Sequence, residues 1–373
     1  MTNCERKRIL IVSCEGMGRG GVQAVFMSIV RNFSRQYTFD ILLFTSEERY
    51  HEDEFTTFGG RVYRIPKYEG KIKLLRRLDY LTFGMRIYFQ TLRILSENKD
   101  YVAIHCHNEF EAAPCLKAAK KAKTQLRIAH AHVKHCASKY RTVQFIQSQY
   151  RKSILKYSTH MIGCSEEACA SLYGHGADYS VVSNPVDKRF TTNHDIDKSQ
   201  MPFTLIQVGR YEPNKNQLFS IDVFSCIMRR SPNSELRLVG SGEDDYLQEM
   251  KKMIDKFGIS DHVSFLPDHS DIPKQLSSAH AMIFPSVAEG FGLVVVEAQA
   301  MGVRCYASDT VPRATDCGGC KYLSLSSAPN EWAEVIMSDY ETYKNEQTSF
   351  DCSSFDEDKV MKTYNAIYSG NRM

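Results

Sequence analysis

Short apolar runs alternate along this chain with longer stretches whose apolar residues recur every three or four positions. Ile9-Leu10-Ile11-Val12-Ser13 is such a run, bounded by polar residues, and predicts a strand buried on both faces of a parallel sheet. A glycine loop, Gly16-Met17-Gly18-Arg19-Gly20-Gly21, follows it. From Val22 to Phe33 the spacing changes to helical, with Val22, Val25, Phe26, Ile29, Val30 and Phe33 on one face. Further strands are predicted at Phe39–Phe44, Arg61–Ile65, Val102–His107, Arg127–His132 and His160–Ser165, with a basic, aromatic helix over about Leu74–Glu97. Ser165 followed by Glu166-Glu167 has the chemistry of a helix start. The segment Thr191–Pro202 is polar and aperiodic, so the domain boundary is expected near it. The pattern then restarts, with strands at Phe203–Gly209, Glu235–Gly240, Val263–Leu266, Ala281–Phe284 and Val303–Ala307 and a helix over about Gln217–Arg229. Strands alternating with helices predict doubly wound parallel sheets, here two in succession. The expected division is 1–187 and 188–354, with a helix at about 355–373 packing back on the first domain.

Composition adds little to this until it is divided. Residues 1–190 hold 30 Lys and Arg against 18 Asp and Glu, a charge of +12; residues 191–373 hold 17 against 26, a charge of −9. A basic first domain suits an anionic membrane surface or an acidic acceptor. The bland alternative is an uneven solvated surface. No apolar run approaches the roughly 18 residues of a membrane span. The twelve cysteines are scattered and suit reduced thiols in a cytoplasmic protein. Nothing points to nucleic acid, and the oligomeric state is left open.

Candidate chemistry concentrates in the second domain. Ala288-Glu289-Gly290-Phe291-Gly292-Leu293-Val294-Val295-Val296-Glu297-Ala298 reads as a glycine-bearing turn from the Ala281–Phe284 strand into a helix, although the β-branched Val294–Val296 run also suits a strand. Strand C-terminal ends facing helix N-termini are where α/β folds bind ligands, and free N–H groups there favour phosphate. Glu289 and Glu297 bracket that turn. A helix places Glu297 roughly 7–8 Å along its axis from Gly292, a plausible span between a phosphate and a ribose. Two carboxylates beside an anion site suit hydroxyl groups flanking a diphosphate, as in a nucleotide sugar. Arg210 and Lys215, in the loop opening at Gly209, supply cations for that diphosphate; as surface charges in a loop they would need no ligand.

Together these residues resemble the E-x7-E motif of retaining GT-B glycosyltransferases of family 4. Other pieces resemble that family in order: Gly20-Gly21-Val22-Gln23, Val102–His107, Ile128–His132, Gly163-Cys164-Ser165-Glu166, Asn184-Pro185-Val186-Asp187, Val208-Gly209-Arg210 with Lys215-Asn216, and Leu238-Val239-Gly240-Ser241-Gly242. The bacterial capsular and exopolysaccharide enzymes are the most similar in character. The resemblance implies two Rossmann-like domains facing a cleft. It implies a retaining, metal-independent hexosyl transfer from a nucleotide-diphosphate sugar, UDP-sugar favoured, to a glycan or lipid-linked acceptor. His132, Arg210, Lys215 and Glu289 would be catalytic. Gly20, Gly21, Gly209, Gly240, Gly290, Phe291, Gly292, Leu293, Val294 and Glu297 would join Glu289 in binding the donor, and His107, Asn108 and His130 would lie on the acceptor side. No cofactor or metal is expected, and a cytoplasmic enzyme could extend to the inner face of the membrane.

Three readings compete. Gly16, Gly18 and Gly21 spell G-x-G-x-x-G, which points to an NAD-linked oxidoreductase, though the acidic partner after the second strand is ambiguous between Glu47 and Glu48. His105, His107, His130 and His132, with His135 and Cys136, imitate a metal site. A non-catalytic nucleotide-sugar-binding protein would carry the same motifs. Cys317-Gly318-Gly319-Cys320 lacks a second pair and reads as a loop. The basic run Lys117–Lys123 closes a helix or, with Lys71, Lys73, Arg76 and Arg77, faces a membrane.

Overall fold

The computed structural model describes residues 6–14, 16–47, 50–67, 73–133, 140–191, 196–198, 200–344, 346 and 348–371, with the side chains of 73–81 outside that description. Glu48, Lys71, His135 and Cys136, and the side chains of Lys73, Arg76 and Arg77, therefore lie outside the described residues.

The chain forms two compact units: residues 1–185 with 358–373, and residues 186–357. Among the described residues, the first holds seven strands: β1 (Arg8–Ser13), β2 (Thr38–Leu43), β3 (Val62–Arg64), β4 (Tyr101–Cys106), β5 (Leu126–Ala131), β6 (His160–Gly163) and β7 (Ser180–Val181), in the sheet order β3-β2-β1-β4-β5-β6-β7. Every pairing is parallel. Ile9, Leu10, Ile11 and Val12 are fully buried, as expected of a central strand with helices on both sides. The buried Asp40 takes two contacts of 2.9 Å from Arg8 and the hydroxyl of Tyr101, so one carboxylate fastens β1, β2 and β4. The helix Gly21–Phe33 follows β1, and Ser165 Oγ caps the helix Glu166–Tyr173 by accepting from Ala168 N–H.

The C-terminal helix Glu357–Tyr368 buries Val360, Met361, Tyr364, Ile367 and Tyr368 in the core of this same unit, where Tyr368 meets Phe33 edge-on at 5.7 Å. Its periodic apolar face is what the sequence pattern supplies; its place beside β1, β2 and β4 is a tertiary fact.

The second unit repeats the plan with β8 (Thr204–Val208), β9 (Glu235–Val239), β10 (Val263–Leu266), β11 (Ala281–Phe284), β12 (Arg304–Ser308) and β13 (Cys320–Leu323), in the order β10-β9-β8-β11-β12-β13. Its pairings too are all parallel. Residues 317–319 form the expected loop, and Cys320 alone departs from it by opening β13 opposite Cys305. Leu293–Ala300 is a helix, so the β-branched run is overridden by burial of Leu293, Val295 and Val296.

Strand order reverses between β8 and β11. In an open α/β sheet the connections leaving two such strands diverge to opposite faces and leave a crevice beyond their C-terminal ends. The loops leaving those strands are 209–216 and 285–292, the segments that carry Arg210, Lys215 and Glu289.

Candidate active site

The loop after β8 is set by backbone packing. Gly209 N–H donates to Val239 O at 2.9 Å, and Tyr211 N–H to Ser241 O at 2.8 Å. A Cβ on Gly240 would stand 2.0 Å from Gly209 O, so glycine there lets the loops after β8 and β9 touch. Gly240 thus shapes the loop after β8. Gln207 Nε2 donates to Lys215 O and Gln217 Nε2 to Arg210 O, holding the loop from both flanks.

That loop aims Lys215 at Glu289. Lys215 Nζ lies 2.5 Å from Glu289 Oε1, and also 5.3 Å from the Phe284 ring centroid. The two side chains are 17% and 8% exposed, so the pair is largely removed from solvent. Arg210 is different: its side chain is 71% exposed and its guanidinium faces Glu212 at 3.7 Å. The structure thus joins Lys215 to Glu289 and leaves Arg210 outside that pair.

Beyond Glu289 the chain turns through Gly290 and the buried Phe291, which packs at 5.9 Å on Phe355. Gly292 has φ +90°, a left-handed conformation that glycine adopts without strain, and it begins the helix Leu293–Ala300. Among the described residues, no side chain caps this helix. Its first N–H groups, at Leu293 and Val294, therefore form an uncapped positive end suited to a phosphate.

Glu297 lies on the second turn. The residue is half-buried. Desolvation is the larger cause and Asp187 the next in pushing its pKa up to about 7, against a smaller opposing effect of Arg189. Asp187 and Arg189 pair at 3.1 Å at the entry to the second unit. A half-buried carboxyl group can accept from both hydroxyls of a ribose diol.

The histidines belong to the first unit. His105, His107, His130 and His132 are 0–4% exposed. Asn108 is fully buried as well. His107 Nδ1 lies 2.8 Å from His132 Nε2, His105 Nε2 lies 3.2 Å from His130 Nδ1, and His105 Nδ1 lies 2.9 Å from the Tyr368 hydroxyl. Alternation along β4 and β5 puts each pair on one face, and adjacent strands stack the rings into a ladder. Burial lowers His105 and His132 to about 3 and holds His107 and His130 well below the usual range, so all four are neutral at physiological pH. His132 N–H donates to Glu109 Oε1 at 2.7 Å.

Among the described residues, His105, His107 and His130 bring one ligand atom each within 4.8 Å of one another. Both ring nitrogens of His105 are engaged, by Tyr368 and His130, so a metal ion would have to break the ladder. Among the described residues, His107 Nε2 and His130 Nε2 are buried without a hydrogen-bond partner, so the ladder is only partly satisfied.

In the glycine loop, Gly20 precedes the helix Gly21–Phe33, Gln23 Nε2 donates to Gly16 O, and the Arg19 guanidinium stacks 3.6 Å from the Tyr50 ring. Gly20 and Gly21 keep accessible surface. β2 ends at Leu43 without an acidic residue, and Glu47 lies on an exposed turn with its N–H on Thr45 Oγ1. This is poor support for a dinucleotide ribose.

Two residues that the sequence reading gave no role tie the site loops together. Asn214 Nδ2 donates to Ala288 O at 2.8 Å, and Asn216 Nδ2 to Pro285 O at 3.2 Å. The legible signal was an Asn on each side of Lys215; the partners, about 70 positions away, were not legible.

Comparison with known proteins bears on the whole chain. Residues 19–190 match the family described as Glycosyltransferase Family 4, and residues 189–321 match Glycosyl transferases group 1. The putative glycosyltransferase EpsF of Bacillus subtilis is 26% identical over 351 residues, covering 90% of this chain and 88% of the relative. The O-antigen chain mannosyltransferase RfbU of Salmonella typhimurium is 26% identical over 273 residues, covering 69% and 70%. Among solved structures, Anabaena HepE in complex with UDP and glucose superposes with a TM-score of 0.76 at 17% identity, over 98% of this chain and all of that one. None of these matches favours the oxidoreductase reading. With two parallel-sheet units and family matches running from residue 19 to residue 321, this chain belongs to the family 4 glycosyltransferases of the GT-B fold.

Proposed function

We propose that this glycosyltransferase moves a hexosyl group from a UDP-sugar, with retention of anomeric configuration, to a glycan or lipid-linked acceptor in the synthesis of an exopolysaccharide or other cell-surface glycan. The observation that carries the reading is the Lys215–Glu289 pair beside the uncapped helix that bears Glu297. In this reading Glu297 holds the ribose, and the N–H groups of Leu293 and Val294 receive the diphosphate. Lys215, with Arg210 swung inward, neutralises the charge that develops on the leaving group. Glu289 accepts from hydroxyls of the sugar. The departing phosphate takes the acceptor's proton on the same face of the sugar, which accounts for retention without a covalent intermediate. Lys215 and the helix N–H groups fill the role a divalent ion would have, so the reaction is proposed to be metal-independent. HepE has also been solved with UDP-glucose, which supports a UDP-sugar donor.

Calorimetry with UDP, GDP and ADP tests this. UDP should bind with a micromolar constant, and Glu289→Ala should abolish turnover of the donor while UDP still binds. Folded protein that binds none of the three sinks the proposal.

The first unit supports a second element, peripheral contact with an anionic membrane. No helix among the described residues is long and apolar enough to cross a membrane. The helix Lys73–Glu97 exposes Met85 and Phe89 at about 60% of their surface, with Arg86 and Arg93 on the same segment. Aromatic and basic side chains together suit an interface. Sedimentation with vesicles containing phosphatidylglycerol should carry the protein down and lose it as salt rises; equal sedimentation with neutral vesicles would count against the idea.

A further inference from the structure

Glu289 and Lys215 are 74 positions apart in the chain, and their meeting depends on two loops holding a fixed separation. Three hydrogen bonds hold it. Val287 N–H donates to Asn214 O at 2.8 Å, and Asn214 Nδ2 returns a bond to Ala288 O at 2.8 Å. Asn216 Nδ2 donates to Pro285 O at 3.2 Å. The two asparagines thus clasp residues 285, 287 and 288, and Lys215 between them reaches residue 289. Asn216 also has φ +55° and ψ +45° and is the residue from which the helix Gln217–Met228 begins. Asparagine tolerates that left-handed conformation better than most residues and, unlike glycine, brings a donor to it.

We infer that Asn214 and Asn216 are positioning residues, which lock the loops after β8 and β11 into one cradle and fix the separation of Lys215 and Glu289 for sugar transfer. The inference rests on the proposed function and deepens it. The diphosphate and the sugar of a donor would be addressed by groups on different loops, Lys215 on one and Glu289 on the other. A cradle that opens by 1 Å would still admit the nucleotide but would misplace the reacting carbon, and such a displacement costs about a hundredfold in rate.

The test separates bond from backbone. Asn216→Gly keeps the left-handed conformation and removes the donor. Asn216→Asp keeps shape and conformation but sets a carboxylate against the Pro285 carbonyl. Asn214→Ala removes the bond to Ala288 alone. With UDP-glucose as the probe donor, or whichever UDP-sugar the wild type turns over, each variant should lose about tenfold to a hundredfold in kcat. The Kd for UDP alone should change less than about threefold, because Glu297 and the helix N–H groups are untouched. The double variant Asn214→Ala with Asn216→Gly should lose less than the product of the single losses, as parts of one clasp do. Wild-type kcat in the folded single variants overturns the positioning role. A fall in UDP affinity matching the fall in kcat also overturns it, because the clasp would then serve the fold of the whole pocket. Failure of the wild type to bind UDP is a separate result that removes the functional reading itself.

Discussion

Lys215→Ala is expected to lower kcat by about a hundredfold to a thousandfold, the scale on which a preorganised charge at a leaving group acts. It should also destabilise the second unit. Lys215 and Glu289 are mostly withdrawn from water, so removing the lysine leaves a nearly buried carboxylate without its counter-charge. Breaking such a pair from one side costs about 3–5 kcal/mol, although the intact pair contributes far less than that. Glu289→Gln should therefore be milder for the fold than Lys215→Ala, and the combination of the two should regain much of the lost stability. It should regain none of the activity, because the charge facing the diphosphate and the acceptor of the sugar hydroxyls are both gone. Denaturant titration beside steady-state kinetics reads both effects. A double variant as unstable as Lys215→Ala would mean that the lysine contributes by packing on Phe284 rather than through Glu289.

Glu297→Gln should stabilise the protein at pH 8 and weaken its hold on nucleotide. The folded-state pKa of Glu297 is raised to about 7, chiefly by burial and then by Asp187, from an ordinary 4.5. Below pH 4.5 the group is protonated folded and unfolded, and it costs nothing. Between pH 4.5 and 7 the unfolded chain releases the proton and the folded one keeps it, so stability falls as pH rises. Above pH 7 the deficit is constant, at most roughly 3 kcal/mol. Glutamine removes that deficit. The melting temperature of Glu297→Gln should exceed that of the wild type at pH 8 and match it at pH 4. A ribose diol, by contrast, donates best to the ionised carboxylate, so wild-type affinity for UDP should rise through pH 7. The terminal phosphate of UDP titrates nearby, with a pKa of about 6, and the variant supplies the control. Its affinity should be about tenfold to a hundredfold weaker at pH 8, as loss of charged hydrogen bonds predicts, and its pH dependence should keep only the phosphate contribution. Equal melting temperatures of the two proteins at pH 8 would refute the stability argument.

What the amino-acid pattern made legible were the runs that a parallel sheet buries on both faces. β1 and β11 stand out because four consecutive apolar residues are enough to define a central strand. β13, Cys-Lys-Tyr-Leu at the sheet edge, has no such run, and only its first residue falls in the segment whose pattern reads as a loop. The helix Asp244–Phe257 is legible from Tyr246, Met250 and Ile254 at spacings of four, with Gly258 left-handed after them. At the site, the eight-residue spacing of Glu289 and Glu297 was plain, since both lie on one continuous turn and helix. The direction of Arg210 was not, because an exposed loop side chain answers to a neighbour such as Glu212 that periodicity does not rank. The histidines show the limit from the other side. Strand alternation placed each pair on one face, but which element covers that face depends on Tyr364 and Tyr368, more than two hundred residues later in the chain.

That late covering has a consequence for the order in which the protein can be completed during synthesis. Residues 186–357 form a unit interrupted by nothing, whereas the first unit holds both residues 1–185 and residues 358–373. The ribosome therefore finishes the second unit while the first still lacks Val360, Tyr364, Ile367 and Tyr368 from its core. Domains ordinarily mature in the order they emerge; here the unit begun first is the last to close. Until its final helix arrives, the nascent chain presents the histidine ladder and the apolar surface around Phe33 and Phe39 as an open flank, which is the stretch of its life in which a chaperone has most to protect.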